Sequence, residues 1–207
     1  MTRLICYLII VSAVLASSSC SADTNKNRDV CPRISSSSYY FAKGSLSSTN
    51  SNLDKFVREW YSKHMSAMNE PSLSCGTPGE TYRFTWLRSF HNPVSLRVEV
   101  QEGIATLHSI ELDGAGGYEP GNVLRKDERV LSSGELNEIR SIFLDSNFHS
   151  LPTTVDRMGA DGAEWILEQS GSGGYHLVIR WSPDSGEVYK IGNLFLTLSG
   201  WSFDEVY

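Results

Sequence analysis

Apolar and polar positions divide the chain into three regimes. Leu4 to Leu15 is an apolar run interrupted only by Ser12, residues 23–51 are polar and rich in serine, and periodic patterns begin near residue 52. Leu53, Phe56, Val57, Trp60, Tyr61, His64, Met65 and Met68 recur at i, i+3, i+4 and i+7, behind Asn50, Ser51 or Asn52 as candidate caps and ahead of Pro71. This predicts a helix over 52–69 that buries one stripe, with His64 at its edge as a core histidine. The period then changes to two. Tyr82, Phe84 and Trp86 alternate with Thr81, Arg83 and Thr85, and beyond Asn92-Pro93 the residues Val94, Leu96, Val98 and Val100 alternate with Ser95, Arg97 and Glu99. These are half-buried antiparallel strands. A two-residue Glu102-Gly103 turn would pair Val98 with Leu107 and Val100 with Ala105, leaving Arg97 opposite His108 on the other face.

Residues 113–121, Asp-Gly-Ala-Gly-Gly-Tyr-Glu-Pro-Gly, form a turn-rich loop whose glycines suggest positive φ and whose length allows a binding role. It runs into the charged segment Arg125 to Arg129. A second helix over 134–146 is announced by a capping box, Ser132 with Glu135, and buries Leu136, Ile139 and Phe143. Residues 163–169 and 175–181 read as a hairpin, and 187–199 as a last helix through Leu194, Phe195 and Leu198, against the helix-weakening Gly192. Trp201 should pack back after it. The expected fold is α+β: an antiparallel sheet of about five strands with three helices packed on one face and the other face uncovered.

Arg3, the apolar run and the small residues Ala16 to Ser19 have the layout of an export signal over 1–22. A twelve-residue helix rises about 18 Å against about 30 Å of bilayer hydrocarbon, too short to span. The signal either ends at Cys20 as a lipoprotein signal, with the cysteine acylated, or is cut after Ala22; Ser17 stands where a lipobox usually has Leu. The tether would be 23–51, with Tyr39-Tyr40-Phe41 as a stretch able to dock on a single domain over 52–207. Once the signal region is set aside, Cys31 and Cys75 remain, and in an oxidising compartment they suggest one disulfide. Closing that loop would contribute about 4 kcal/mol in the chain-entropy model.

Charge narrows the partners. Of 207 residues, 18 are basic and 24 acidic, a net of −6, and the 52–207 domain alone holds 13 basic against 22 acidic, a net of −9. Such a surface would repel a phosphate backbone, so nucleic acid is excluded as a partner and a cationic or neutral one is expected. The five histidines and four cysteines show no metal-ligand spacing, Gly171-Ser172-Gly173 is no nucleophile elbow, and Gly114 to Gly117 is no phosphate loop; no cofactor is implied.

The most informative chemistry lies in the 163–181 hairpin. A register placing Ala163, Trp165, Leu167, Leu177, Ile179 and Trp181 on one face would set Glu168 opposite His176 and Glu164 opposite Arg180 on the other. With Asp161 at the mouth, these residues form the candidate ligand site, and a carboxylate beside His176 would raise its pKa.

The segments Tyr82-x-Phe84-x-Trp86-Leu87-Arg88-x-Phe90-His91-x-Pro93, Gly116-Gly117-Tyr118-x-Pro120-Gly121, Asp161-Gly162-Ala163-x-Trp165-Ile166-Leu167-Glu168 and Tyr175-His176-x-x-x-Arg180-Trp181-Ser182-Pro183 resemble a group of bacterial exported, lipoprotein-like proteins over roughly 55–200. The resemblance implies an envelope location and a shared α+β domain, and carries no catalytic residue. The expectation is a non-enzymatic binding domain in the bacterial envelope, or secreted, using the uncovered sheet face and the 113–121 loop on a protein or small polar ligand. It would meet the membrane only through a lipid anchor. Two alternatives stand beside it: a hydrolase using His176 with Glu168 or Glu164, and an inhibitor or immunity-type protein against a basic partner.

Overall fold

The computed structural model describes residues 40–77, 79–155 and 159–207. The expected export signal, Cys20, Cys31 and most of the tether therefore lie outside the described residues. In chain order the elements are helix α1 (Ser51–Ala67), strands β1 (Glu80–Arg88), β2 (Val94–Gln101), β3 (Ile104–Leu112) and β4 (Val123–Val130), helix α2 (Ser133–Asp145), a 3-10 turn (Phe148–Ser150), strands β5 (Ala163–Gly171) and β6 (Gly174–Trp181), and helix α3 (Gly186–Ser199). The strands form one antiparallel sheet in the order β4-β3-β2-β1-β5-β6.

The sheet has six strands rather than about five. The additional one is β4, the charged segment after the loop; it is exposed along nearly its whole length, so no apolar alternation marks it. Its position explains its composition, since a sheet edge rich in charge discourages pairing with another chain. Elsewhere the pattern translates directly. Val98 pairs with Leu107, Val100 with Ala105 and Arg97 with His108 across the Glu102-Gly103 turn. Ser132 caps α2 with Glu135 in a reciprocal capping box, and Leu136, Ile139 and Phe143 are buried.

The expectation that all three helices share one face is overturned. α2 and α3 cover the face carrying Phe84, Trp86, Leu96, Trp165 and Leu167, where Phe84 lies 5.0 Å from Trp165 and 6.3 Å from Phe195 between ring centroids. Gly192 belongs to this packing: a Cβ there would stand 2.2 Å from the Trp165 ring, so its absence lets α3 cross directly over the indole. α1 lies on the opposite face, where Tyr61 and Met65 pack with Leu87, Ile166, Leu177 and Ile179. The face expected to be open is therefore largely roofed. The reason is that β1 and β5 are buried on both sides, with Thr81, Arg83, Thr85, Glu168 and Ser170 occupying the α1 side.

The domain also begins earlier than 52. Tyr40, Phe41 and Leu46 are buried in the α1 layer, so residues 40–50 dock instead of forming tether. Asp54 accepts from the backbone N–H groups of Gly44, Leu46 and Ser47 and pairs with Arg58 at 2.9 Å. This rotates the expected stripe. Asp54 and Arg58 face inward, whereas Phe56 is 63% exposed and Trp60 half-buried. Cys75 lies in an exposed turn. No helix among the described residues is long and apolar enough to cross a membrane.

Candidate functional site

The hairpin residues do not form the expected cluster. Glu164 pairs with Trp181, Trp165 with Arg180, Glu168 with Leu177 and Gln169 with His176, one residue away from the anticipated register. A one-residue slip exchanges faces. Glu164 and Glu168 point toward α1, while His176 and Arg180 belong to the opposite face at the outer strand. Asp161 is exposed in the turn before β5. The ambiguity had a physical source: Ile166, Leu167, Leu177, Val178 and Ile179 are all buried, so apolar residues occupy both faces and the alternation alone does not choose between them.

Each separated residue has a structural task. Glu168, fully buried, accepts from Arg83 Nε at 2.7 Å and from the Tyr175 hydroxyl at 2.8 Å, and lies 2.6 Å from Arg83 Nη2 in an ion pair. Arg83 also meets Glu70 and the Pro71 carbonyl. His176 Nε2 donates to the Leu151 carbonyl at 2.9 Å, and Arg180 donates to the Pro152 and Thr153 carbonyls, so both clasp the 151–153 segment against β6. Burial lowers the His176 pKa, and His149 lowers it further, opposite to the expected rise. The proposed pairing of His176 with either glutamate is not formed.

A different site assembles at the end of the sheet where β1, β5 and β6 meet the 113–121 loop. A cleft of about 240 Å³ opens there. Trp60 from α1, Phe90 from the β1–β2 connection, Tyr118 from the loop and Trp181 at the end of β6 stand around it, with Glu164 and Ser89 among its lining. Phe90 and Tyr118 are 59% and 60% exposed, with ring centroids 6.0 Å apart. Phe56, 6.5 Å from Trp60, extends the aromatic surface beyond the cleft.

Main-chain bonding holds the loop rigidly in place. Gly114 and Ala115 donate to the Pro120 and Glu119 carbonyls, and Gly116 and Gly117 donate to the His91 and Ser89 carbonyls. A Cβ on Gly116 would lie 2.5 Å from the backbone of Leu87 and Arg88, so close approach, not the expected positive φ, requires glycine; in this loop only Gly121 has positive φ. From the other side the Trp60 indole donates to the Gly116 carbonyl at 2.7 Å and Lys63 pairs with Glu119 at 3.0 Å. His64 is fully buried, as a core histidine should be. Its ring nitrogens face the carbonyls of Trp60 at 3.0 Å and Ala115 at 3.4 Å. Burial holds its pKa below the usual value against the pull of the two carbonyls, so the ring is neutral at pH 7 and can donate to only one of them.

Glu164 is the electrostatic centre of the cleft. It lies in a row between Leu87 of β1 and Trp181 of β6, and α1 places the Tyr61 hydroxyl against it. Burial raises its pKa to about 7, opposed by the hydrogen bond from Tyr61. A carboxyl in this condition is converted to carboxylate by an arriving cation. Among the described residues, no group of three or more His, Cys, Asp or Glu side chains could hold a metal ion.

Glu164 alone of the anticipated residues, together with the 113–121 loop, belongs to this cleft. Trp60 stands in the stripe expected to be core, Tyr118 enters the expected site only as part of the 113–121 loop, and the sequence pattern places neither Phe90 nor Trp181 at a site. The available signal was Tyr118, a large aromatic inside a glycine-rich loop where no core demands one. Comparison with protein-family models and with curated protein sequences finds no match.

Proposed function

We propose that this chain is an exported, non-enzymatic binding domain of the bacterial envelope, and that the aromatic cleft is its binding site for a polar, cationic or neutral ligand. One observation carries the reading: four aromatic side chains from α1, the β1–β2 connection, the 113–121 loop and β6 surround a single half-buried carboxylate. Folded domains seldom leave Phe90 and Tyr118 so exposed without a use for them, and aromatic residues supply large contact area at low entropic cost. The acidic surface favours the same class of ligand. Delivery to the envelope rests on the 1–22 signal, ending at an acylated Cys20 or cut after Ala22, and on the resemblance to bacterial exported proteins. Cys31 is the proposed partner of Cys75.

Two experiments test this. A panel of small polar molecules screened by NMR on the mature protein should give hits whose shifts centre on Trp60, Tyr118 and Trp181 and disappear in Tyr118→Ser. Hits that centre on the His176 and Arg180 side would overturn the assignment. Intact mass of the mature protein, with and without reductant, reads the acylation of Cys20 and the Cys31–Cys75 bond together; an unprocessed chain would refute export.

A further inference from the structure

The cleft's composition restricts the ligand more than its size does. Its charged lining residue is one carboxylate, Glu164, and its walls are indole, phenyl and phenol rings. Ring faces attract cations through their quadrupole, most strongly when the cation sheds water easily. A primary ammonium is strongly hydrated and brings three N–H donors that need acceptors. Here the side-chain acceptors are few: the Glu164 carboxylate, the Tyr118 phenol and the Ser89 hydroxyl, which already accepts from the Gly162 N–H at 3.2 Å. A methylated ammonium has no N–H to satisfy, spreads its charge over methyl groups that lie against rings, and asks only for a counter-charge nearby.

We propose that the cleft takes a quaternary ammonium headgroup of choline size, with Trp60, Phe90, Tyr118 and Trp181 as its walls and Glu164 as its counter-ion. This rests on the binding-domain reading above and names its ligand class. Free choline-type solutes and phosphatidylcholine headgroups carry the same chemistry. The groups around Glu164 leave it as the titrating partner: Tyr61 faces it from α1, Leu87 and Trp181 flank it in the sheet, Lys63 is paired with Glu119, and His64 is neutral.

The test uses the mature protein, with tryptophan fluorescence and calorimetry. Choline should bind saturably, at least ten-fold tighter than its neutral carbon isostere 3,3-dimethylbutan-1-ol and than ethanolamine. Affinity should rise with pH through about 7, as Glu164 ionises. Glu164→Gln should weaken choline at least ten-fold at pH 8 while changing binding little at pH 5.5, and Tyr118→Ala should weaken it at both. Phosphatidylcholine vesicles, run in parallel with free choline, distinguish the source: cosedimentation abolished by Tyr118→Ala assigns the lipid headgroup, and binding confined to free choline assigns the solute. Equal binding of choline and the neutral isostere would overturn the cation proposal and leave the cleft as a binding site. Absence of choline binding while other panel compounds still map to the cleft would do the same. If no compound maps to the cleft, the binding-domain reading falls with it.

Discussion

Replacing Glu164 by Gln should make the protein more stable, and only above a defined pH. The folded-state pKa of about 7 stands above the ordinary carboxyl value of 4.5, with burial as the main cause. A group whose pKa is raised on folding favours the folded state at low pH, and that contribution is lost as pH rises from the unfolded value through the folded one. At 1.36 kcal/mol per pKa unit, keeping Glu164 ionised in the folded protein costs about 3 kcal/mol, less whatever the open side of the cleft recovers by hydration. Gln keeps the shape and can still accept from Tyr61, but never ionises. Urea unfolding of both proteins at pH 4, 6, 7 and 8.5 isolates this residue, because every other group titrates in both. The two curves should coincide at pH 4 and separate to about 2–3 kcal/mol by pH 8.5, a midpoint shift of about 1 M if m is about 2 kcal/mol per M. A difference independent of pH, or a variant less stable at pH 8.5, would refute the reasoning.

Arg83→Met should destabilise by about 3–5 kcal/mol in urea unfolding, because it leaves the buried Glu168 carboxylate without its cation and takes one of two arginines from Glu70; adding Glu168→Gln should recover a measurable part of the loss. Asp54→Ala removes the acceptor of three backbone N–H groups and leaves Arg58 without its 2.9 Å partner, so limited proteolysis should open residues 40–50 while α2 and α3 stay protected. Gly116→Ala should push the loop off β1, breaking the Trp60–Gly116 bond; a shift in Trp60 emission with little change in far-UV circular dichroism is expected, and an unchanged emission would count against the docking. Ser132→Ala should cost about 1 kcal/mol through loss of the capping box.

The elements that were legible share one property: a single face decides them. The β2–β3 hairpin is read correctly to the residue because its buried set alternates cleanly, with Val98 and Val100 against Leu107 and Ala105, and because a two-residue turn permits one register. α2 is legible because its cap is local. β4 escaped because an exposed edge strand has no apolar face to reveal it. The position of α1 escaped for a subtler reason. Its roof covers polar and charged residues, Arg83, Thr85 and Glu168, which satisfy one another or groups on and after the helix, and buried ion pairs look in sequence like a solvated face. The same error displaced the site. Once Glu168 is understood as the partner of Arg83, and once the Asp54–Arg58 pair turns α1 so that Phe56 and Trp60 face outward, the aromatic cleft is what remains unexplained by packing.

The docking of residues 40–50 also determines how the domain would respond to being pulled. With the proposed Cys31–Cys75 bond formed, tension from the N-terminal side enters at Cys75; with the bond reduced, it reaches the fold where the Tyr40 N–H meets Ser62 of α1 and its carbonyl takes the hydroxyls of Ser72 and Ser74. In the reduced protein the load passes along the helix that supplies Trp60 before it reaches the sheet. The bond would therefore shield the aromatic wall from a pull on the N-terminal side, and its reduction would expose the Trp60 helix to that pull.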